Sequence, residues 1–192
     1  MLNHNHRYAA EEKHFRHVFI WILISLISFT LIPAIASAEY ISLLKKEPYF
    51  GLPVMSPRNI LSIRNDAYGK GYFAASRNGG RRHKGVDFTA PVGQPIQAAK
   101  TGRVTFAGED NGYGKYVEIG HPDGLITRYA HLSELNVSTG EWVYRGQMIG
   151  RCGKTGNAGE PRMIAHLHFE IRYKGLALNP TNNELDPNII IY

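Results

Sequence analysis

His166-Leu167-His168-Phe169-Glu170-Ile171-Arg172-Tyr173 alternates strictly, with Leu167, Phe169, Ile171 and Tyr173 at one parity and His166, His168, Glu170 and Arg172 at the other. A period of two marks a β-strand, whose successive side chains leave opposite faces. Both imidazoles then point the same way, about 6–7 Å apart at the backbone for a rise of ~3.3 Å per residue. The polar face reads as the outer one. Two imidazoles on it serve a metal, a proton transfer or both; a solvated strand that happens to hold two histidines is the plain alternative.

Outward from this strand the texture is uniform. From about residue 63, short apolar runs are broken by Gly, Pro, Asn and Asp, which places strands at residues 95–99, 102–107, 116–121, 125–131, 148–152 and 167–173. After residue 39 no window shows a convincing 3.6-residue apolar period. Twenty Gly and ten Pro in 192 residues favour strands and tight turns over long helices. The expected fold is all-β. At 43% hydrophobic, this length builds one good core, hence one domain with appendages. Residues 39–62, with Pro48, Pro53 and Pro57, read as an extended lead-in. The domain then occupies 63–180, and 181–192 form a tail whose final Ile189-Ile190-Ile191-Tyr192 is too apolar to stay solvated.

The first forty residues are a different material. Residues 1–17 are polar and carry Arg7, Lys13 and Arg16; residues 18–36 are almost wholly apolar and run into Ala36-Ser37-Ala38. This is the pattern of a secretory signal, an apolar helix cleaved after Ala38. The alternative is an uncleaved anchor, since about 19 apolar residues just span a bilayer, although Ser25, Ser28, Thr30 and Pro33 weaken a permanent span. Either way the remainder is expected outside the cytoplasm, in the periplasm or cell envelope, touching membrane through 18–36 alone. His4, His6, His14 and His17 have no fixed spacing with carboxylates and read as solvated polar residues.

The formal charge is +6, and removal of residues 1–38 with their three Lys/Arg and two Asp/Glu leaves +5. Such a balance suits an anionic partner. Without Lys/Arg clusters interleaved with aromatics, nucleic acid is not expected. The single Cys152, in Gly-Arg-Cys-Gly, allows no internal disulfide and reads as a small buried strand residue rather than a nucleophile.

Two further segments carry chemistry. His83-Lys84-Gly85-Val86-Asp87 sets an imidazole and a carboxylate four residues apart, with Asp87 between the apolar Val86 and Phe88. An Asp there is costly unless paired or ligated; a surface turn capped by Asp87 is the competing reading. Thr127-Arg128-Tyr129-Ala130-His131-Leu132-Ser133 puts His131 at a strand terminus, where site residues often emerge. His121 in Gly120-His121-Pro122 is read as exposed and without a role. Two imidazoles with one carboxylate are the usual protein complement of a catalytic zinc, with a fourth position open. The absence of H-E-x-x-H means that such ligands would come from strands rather than a helix.

Taken in order, His83-x-x-x-Asp87, the His131 of "YAHLS" and His166-x-His168 of "HLHFE" closely resemble the lysostaphin/LytM-type zinc metallopeptidases, which act on bacterial peptidoglycan. The likeness runs from about Arg64 to Pro180 and includes "HKGVDFTAPVGQPIQAAKTGRV", "YGKYVEIGH" and "GQMIGRCGKTGNAG". The resemblance implies one Zn2+ per chain held by His83, Asp87 and His168. It assigns catalysis to His131 and His166. It also implies two antiparallel sheets forming an open barrel-sandwich with the zinc in a groove, peptidoglycan as partner and a monomer. One departure stands out: residues 157–165 form a longer loop before H-L-H than the family usually carries, at the border of the groove.

Two rivals remain beside the endopeptidase reading. Some family members keep the fold, lose ligands and regulate cell-wall amidases by binding; the presence of all five site positions argues against that here. A carrier or hinge domain of the barrel-sandwich type is suggested by the paired V-x-x-G turns and the A-x-x-G-x-V stretch of residues 99–104, yet neither Lys100 nor Lys154 sits in a suitable hairpin. Gly153-Lys154-Thr155 fails as a P-loop because Met148 stands where the first Gly is required.

Overall fold

The computed structural model describes residues 20–26, 41–42, 46–182 and 184–191. The chain divides into a unit of residues 1–46 and a unit of residues 47–192. In the first, residues 20–26 are helical and exposed. The rest of the expected signal helix, with the site after Ala38, lies outside the described residues. Among the described residues no helix is long and apolar enough to cross a membrane.

The second unit is built of strands: β1 (Ile60–Leu61), β2 (Asn65–Asp66), β3 (Gly69–Lys70), β4 (Val86–Thr89), β5 (Pro95–Gln97), β6 (Gly102–Asp110), β7 (Gly114–Gly120), β8 (Leu125–Leu135), β9 (Trp142–Val143), β10 (Met148–Cys152), β11 (His166–Tyr173), β12 (Leu176–Leu178) and β13 (Ile190–Ile191). Two 3-10 turns, Asn78–Gly80 and Gly156–Ala158, complete it. Nine strands form one sheet along β12-β11-β8-β7-β6-β9, with β4 added to β11 and β10 joining β8 to β5, all antiparallel. The two expected sheets are thus hydrogen-bonded into one. The reason is β8, whose first part pairs with β11 through Ala130 and whose last part pairs with β10 from Leu132 onward.

Turn chemistry sets the register. Pro122-Asp123-Gly124 closes β7 to β8, with Gly124 at φ 81° and Asp123 Oδ1 accepting from the Leu125 amide. Lys174 and Gly175, both at positive φ, make the two-residue turn between β11 and β12.

The alternation in β11 does not divide core from solvent. Leu167, Phe169 and Ile171 enter a core with Val86, Phe88, Ile96, Ile119, Tyr129 and Ile149. The opposite parity, His166, His168 and Glu170, is buried as well. A solvated polar face, the plain alternative, is therefore corrected: His83, Asp87 and Tyr113 from other segments pack against that side of β11 and take up the polar groups of His168 and Glu170. His121 is corrected likewise. It is buried, with Nδ1 at 3.0 Å from the Thr101 carbonyl and Nε2 at 2.8 Å from Thr127 Oγ1. Cys152 is buried, and burial pushes its thiol up to about 12, which leaves no reactive thiolate at neutral pH.

The segments flanking the sheet are tied to it. Phe50 and Val54 are buried and bridge to Leu185 and Ile96, while β13 pairs in parallel with β1.

Candidate metal centre

Cross-strand register brings the first two candidate ligands together. In the β4–β11 ladder His168 is the direct partner of Asp87, so their side chains rise on one face. His83 arrives from the turn before β4, across Gly85. A Cβ at Gly85 would lie 2.4 Å from the Phe169 carbonyl and 3.0 Å from the His168 ring, so only glycine lets the turn approach β11 this closely.

The ring tautomers follow from what each nitrogen touches. His83 Nδ1 lies 2.8 Å from the Tyr72 carbonyl, which only accepts, so Nδ1 carries a hydrogen and Nε2 is the atom turned to the site. His168 Nε2 donates to Glu170 Oε1 at 3.0 Å, leaving Nδ1 toward the site. The inward atoms form a tight triangle: His83 Nε2 to His168 Nδ1 2.9 Å, His168 Nδ1 to Asp87 Oδ1 2.8 Å, His83 Nε2 to Asp87 Oδ1 3.0 Å. Atoms this close repel if all three carry lone pairs, so a proton or a metal ion lies among them, and without metal it is the Nδ1 hydrogen of His168, donated to Asp87 Oδ1. Burial alone would lower the His168 pKa, yet hydrogen bonds to Asp87 and Glu170 hold it up at about 9. The same contacts work in reverse on the carboxylates. Burial favours their protonation, but hydrogen bonds from His168 and His83 keep Asp87 well below the ordinary range, and His168 with Arg172 and Tyr113 brings Glu170 to about 2. The centre thus attracts positive charge, and two imidazoles with a carboxylate suit a divalent zinc-type ion.

The remaining pair stands beside this triangle. The His131 and His166 ring centroids are 5.1 Å apart, and His131 is 5.8 Å from His168. His166 Nε2 is 3.9 Å from Asp87 Oδ1. His131 Nδ1 donates to the Thr155 carbonyl at 2.9 Å, and His166 Nδ1 to the Ile164 carbonyl at 2.7 Å, so both rings offer Nε2 as an acceptor. Burial lowers both, His131 to about 3 with help from the neighbouring imidazoles, so both are neutral at pH 7.

His131 is not at a strand terminus, as the sequence suggested, but within β8. It has φ 65° and lies at a bulge, where Leu132 opposes Lys115 while Tyr129 opposes Val117. Plain alternation would send His131 to the core side with Tyr129. The extra residue of the bulge re-aims it into the groove.

Sequence reasoning missed the outer layer of this site. Asp87 Oδ2 accepts from Arg64 at 3.0 Å and Arg77 at 3.2 Å, which leaves Oδ1 for the centre. Glu170 also accepts from Tyr113 at 2.8 Å and Arg172 at 2.6 Å. The one available signal was H-x-H-x-E itself, which puts Glu170 on the histidine face. Around the centre runs a groove of ≈ 1280 Å³, walled by Tyr68, Phe73, Asn157 and Met163 and carrying Arg77, Arg81, Arg82 and Lys84.

A His/Asp/His cluster, with two neutral imidazoles beside it over an open groove, is a donor set that can hold one divalent ion next to groups able to accept a proton. The family model for peptidase family M23 matches residues 81–180, and the chain belongs to that family. It is 42% identical over 102 residues to the DD-carboxypeptidase/endopeptidase Mpg of Neisseria meningitidis, covering 53% of this chain and 23% of that protein. It is 40% identical over 109 residues to the murein hydrolase activator NlpD of Salmonella typhimurium, covering 56% and 27%. The chain therefore spans about a quarter of the length of the curated relatives it matches. Among solved structures, a zinc-containing peptidase from Vibrio cholerae aligns with a TM-score of 0.58 at 29% identity, over 72% of this chain and 41% of that one. The catalytic domain of lysostaphin from Staphylococcus simulans aligns with a TM-score of 0.50 at 35% identity, over 61% and 89%.

Proposed function

We propose that this chain is a zinc-dependent endopeptidase of the cell envelope that hydrolyses peptide bonds in peptidoglycan stem peptides or cross-links. The observation that carries the reading is the convergence of three ligand-type atoms beside two further imidazoles. His83 Nε2, His168 Nδ1 and Asp87 Oδ1 converge within 3.0 Å as ligands, with the Nε2 acceptors of His131 and His166 alongside. When bound, zinc supplies Lewis acidity, polarising a scissile carbonyl and acidifying nearby water. The protein's own part is positional and protonic. Glu170 holds the His168 ring in place, and Arg64 and Arg77 hold the outer oxygen of Asp87. His131 and His166, each fixed by a carbonyl at Nδ1, orient the attacking water and take its proton at Nε2. Either ring becomes a donor to the developing oxyanion only after that proton has arrived.

The groove supports an anionic peptide as substrate. Its exposed cations are Arg81, Arg82 and Lys84, while its lining carboxylates, Asp87 and Glu170, are buried and fully hydrogen-bonded. Residues 1–38 serve as export signal or anchor in this reading, and the chain works as a monomer.

Metal analysis combined with digestion of purified peptidoglycan and mass spectrometry of the released fragments tests the proposal. About one zinc per chain together with new peptide ends is the expected result. Stoichiometric zinc without fragments would sink the enzyme reading. It would leave the second one, favoured by the similarity to NlpD, of a peptidoglycan-binding regulator of amidases.

A further inference from the structure

One carboxylate outside the metal centre is connected to both of its halves. Asp66, in β2, accepts from Arg64 at Oδ1 (2.6 Å), and Arg64 passes on to Asp87 Oδ2 (3.0 Å). The other oxygen, Oδ2, accepts from the Ile164 amide (2.9 Å), and the Ile164 carbonyl receives the Nδ1 hydrogen of His166 (2.7 Å). Arg64 is 3% exposed and the Asp66 side chain 9%, so the Arg64 half of this chain of contacts is sheltered from water, while Ile164 itself is exposed. Charge-assisted bonds of this kind are short and directional.

The backbone reinforces the clip at one end. The Arg64 amide donates to the Asp87 carbonyl and the Asp87 amide to the Gly71 carbonyl, so the β2–β3 ribbon is stitched to β4 at the ligand itself. At the other end, the long loop of residues 157–165 is exposed over most of its length. Ile164 stands near its close, two residues before His166. A free peptide there would leave His166 Nδ1 without a fixed acceptor.

We propose that Asp66 is a positioning residue. By holding the Ile164 peptide it fixes the tautomer and direction of His166, and by holding Arg64 it keeps Asp87 in register, so that the 157–165 loop and the metal centre share one support. This rests on the role given to His166 in the proposed function, but not on catalysis having been observed.

The test uses Asp66→Ala and Asp66→Asn in the full chain, read by nitrogen NMR of the imidazoles, zinc titration and peptidoglycan digestion. Asp66→Ala is expected to turn the single Nδ1–H tautomer of His166 into a mixture and to lower kcat about ten- to hundredfold, as misplacement of a reacting group does. Zinc affinity should fall by less than about tenfold, because Arg64 and Arg77 still donate to Asp87 Oδ2 when Asp66 is gone, and KM should stay within about threefold. Asp66→Asn has a single acceptor oxygen for the Arg64, Tyr68 and Ile164 donors, and is expected to shift the His166 tautomer less than Asp66→Ala does. The proposal is overturned if Asp66→Ala leaves the His166 signals as they were. It is equally overturned if both variants lose thermal stability to the same degree with no change specific to His166. Should the unaltered protein release no fragments, the enzyme reading fails, while the NMR comparison still decides the role of Asp66.

Discussion

Glu170 is wholly buried with a carboxylate held near pKa 2, in a strand whose sequence alternates as if one face were wet. Its oxygen receives the outer hydrogen of His168, which directs the inner nitrogen at the metal position. Glu170→Gln weakens that direction, and zinc affinity should fall about 10- to 100-fold in competition with a chelator; an unchanged affinity would remove Glu170 from the metal centre. His131→Ala is expected to behave differently. It should retain about one zinc per chain while turnover drops about 10²- to 10⁴-fold, the usual contribution of a positioned acid–base group. The five candidates were legible because spacing and alternation expose them in the chain. Arg64, Tyr113 and Thr155 were not, since a buried partner is the same letter as a solvated one, and each reaches the site from a distant segment.

Among the elements, β8 was only half legible. Its first seven residues were expected as a strand from their apolar and β-branched content, but it continues to Leu135 because the bulge at His131 passes it from β11 to β10. An irregularity of one residue leaves no mark in an apolar pattern. β4 was seen only as an Asp between apolar neighbours, since four residues are too few for a period. Gly153 supports the bulge from the facing strand end. A Cβ there would lie 2.5 Å from the Ser133 amide nitrogen and 2.9 Å from the His131 carbonyl. Backbone atoms cannot swing aside, so Gly153→Ala should cost about 1–3 kcal/mol in urea unfolding. A stability within error of the original would mean that β8 yields more easily than its pairing implies.

At the scale of the whole unit, one titrating group lies in the core far from the metal centre's chemistry. Burial beside Phe50 and Thr127 lowers His121 to about 4, with the Thr101 carbonyl, Asp123 and Glu47 partly opposing and Lys100 assisting. The fold thus holds the neutral form, while the unfolded chain takes up a proton near pH 6.5. Stability from this group is complete above about 6.5, declines as the pH falls toward 4, and is then lost, an effect of up to roughly 3 kcal/mol. His121→Gln cannot titrate. Compared with the unaltered protein in metal-loaded form, it should flatten the acid limb of urea stability between pH 6.5 and 4; parallel curves would contradict the assignment. The all-β class was legible from Gly, Pro and the short apolar runs. The joining of two sheets into one was not, because it depends on which strands pair and not on what each strand is.

The parallel pairing of β1 with β13 sets Ile60 beside Ile190, 130 positions along the chain. Contacts that distant carry a large loop-closure cost and form late. Residues 83–173 can assemble the ligand-bearing strands by shorter connections, but the β1 edge has no partner until residue 190 has been made and delivered. The seam formed by the two ends of the unit is therefore expected to close after the metal-binding strands, and pulsed hydrogen exchange that protects Ile190 as early as His168 would contradict that order.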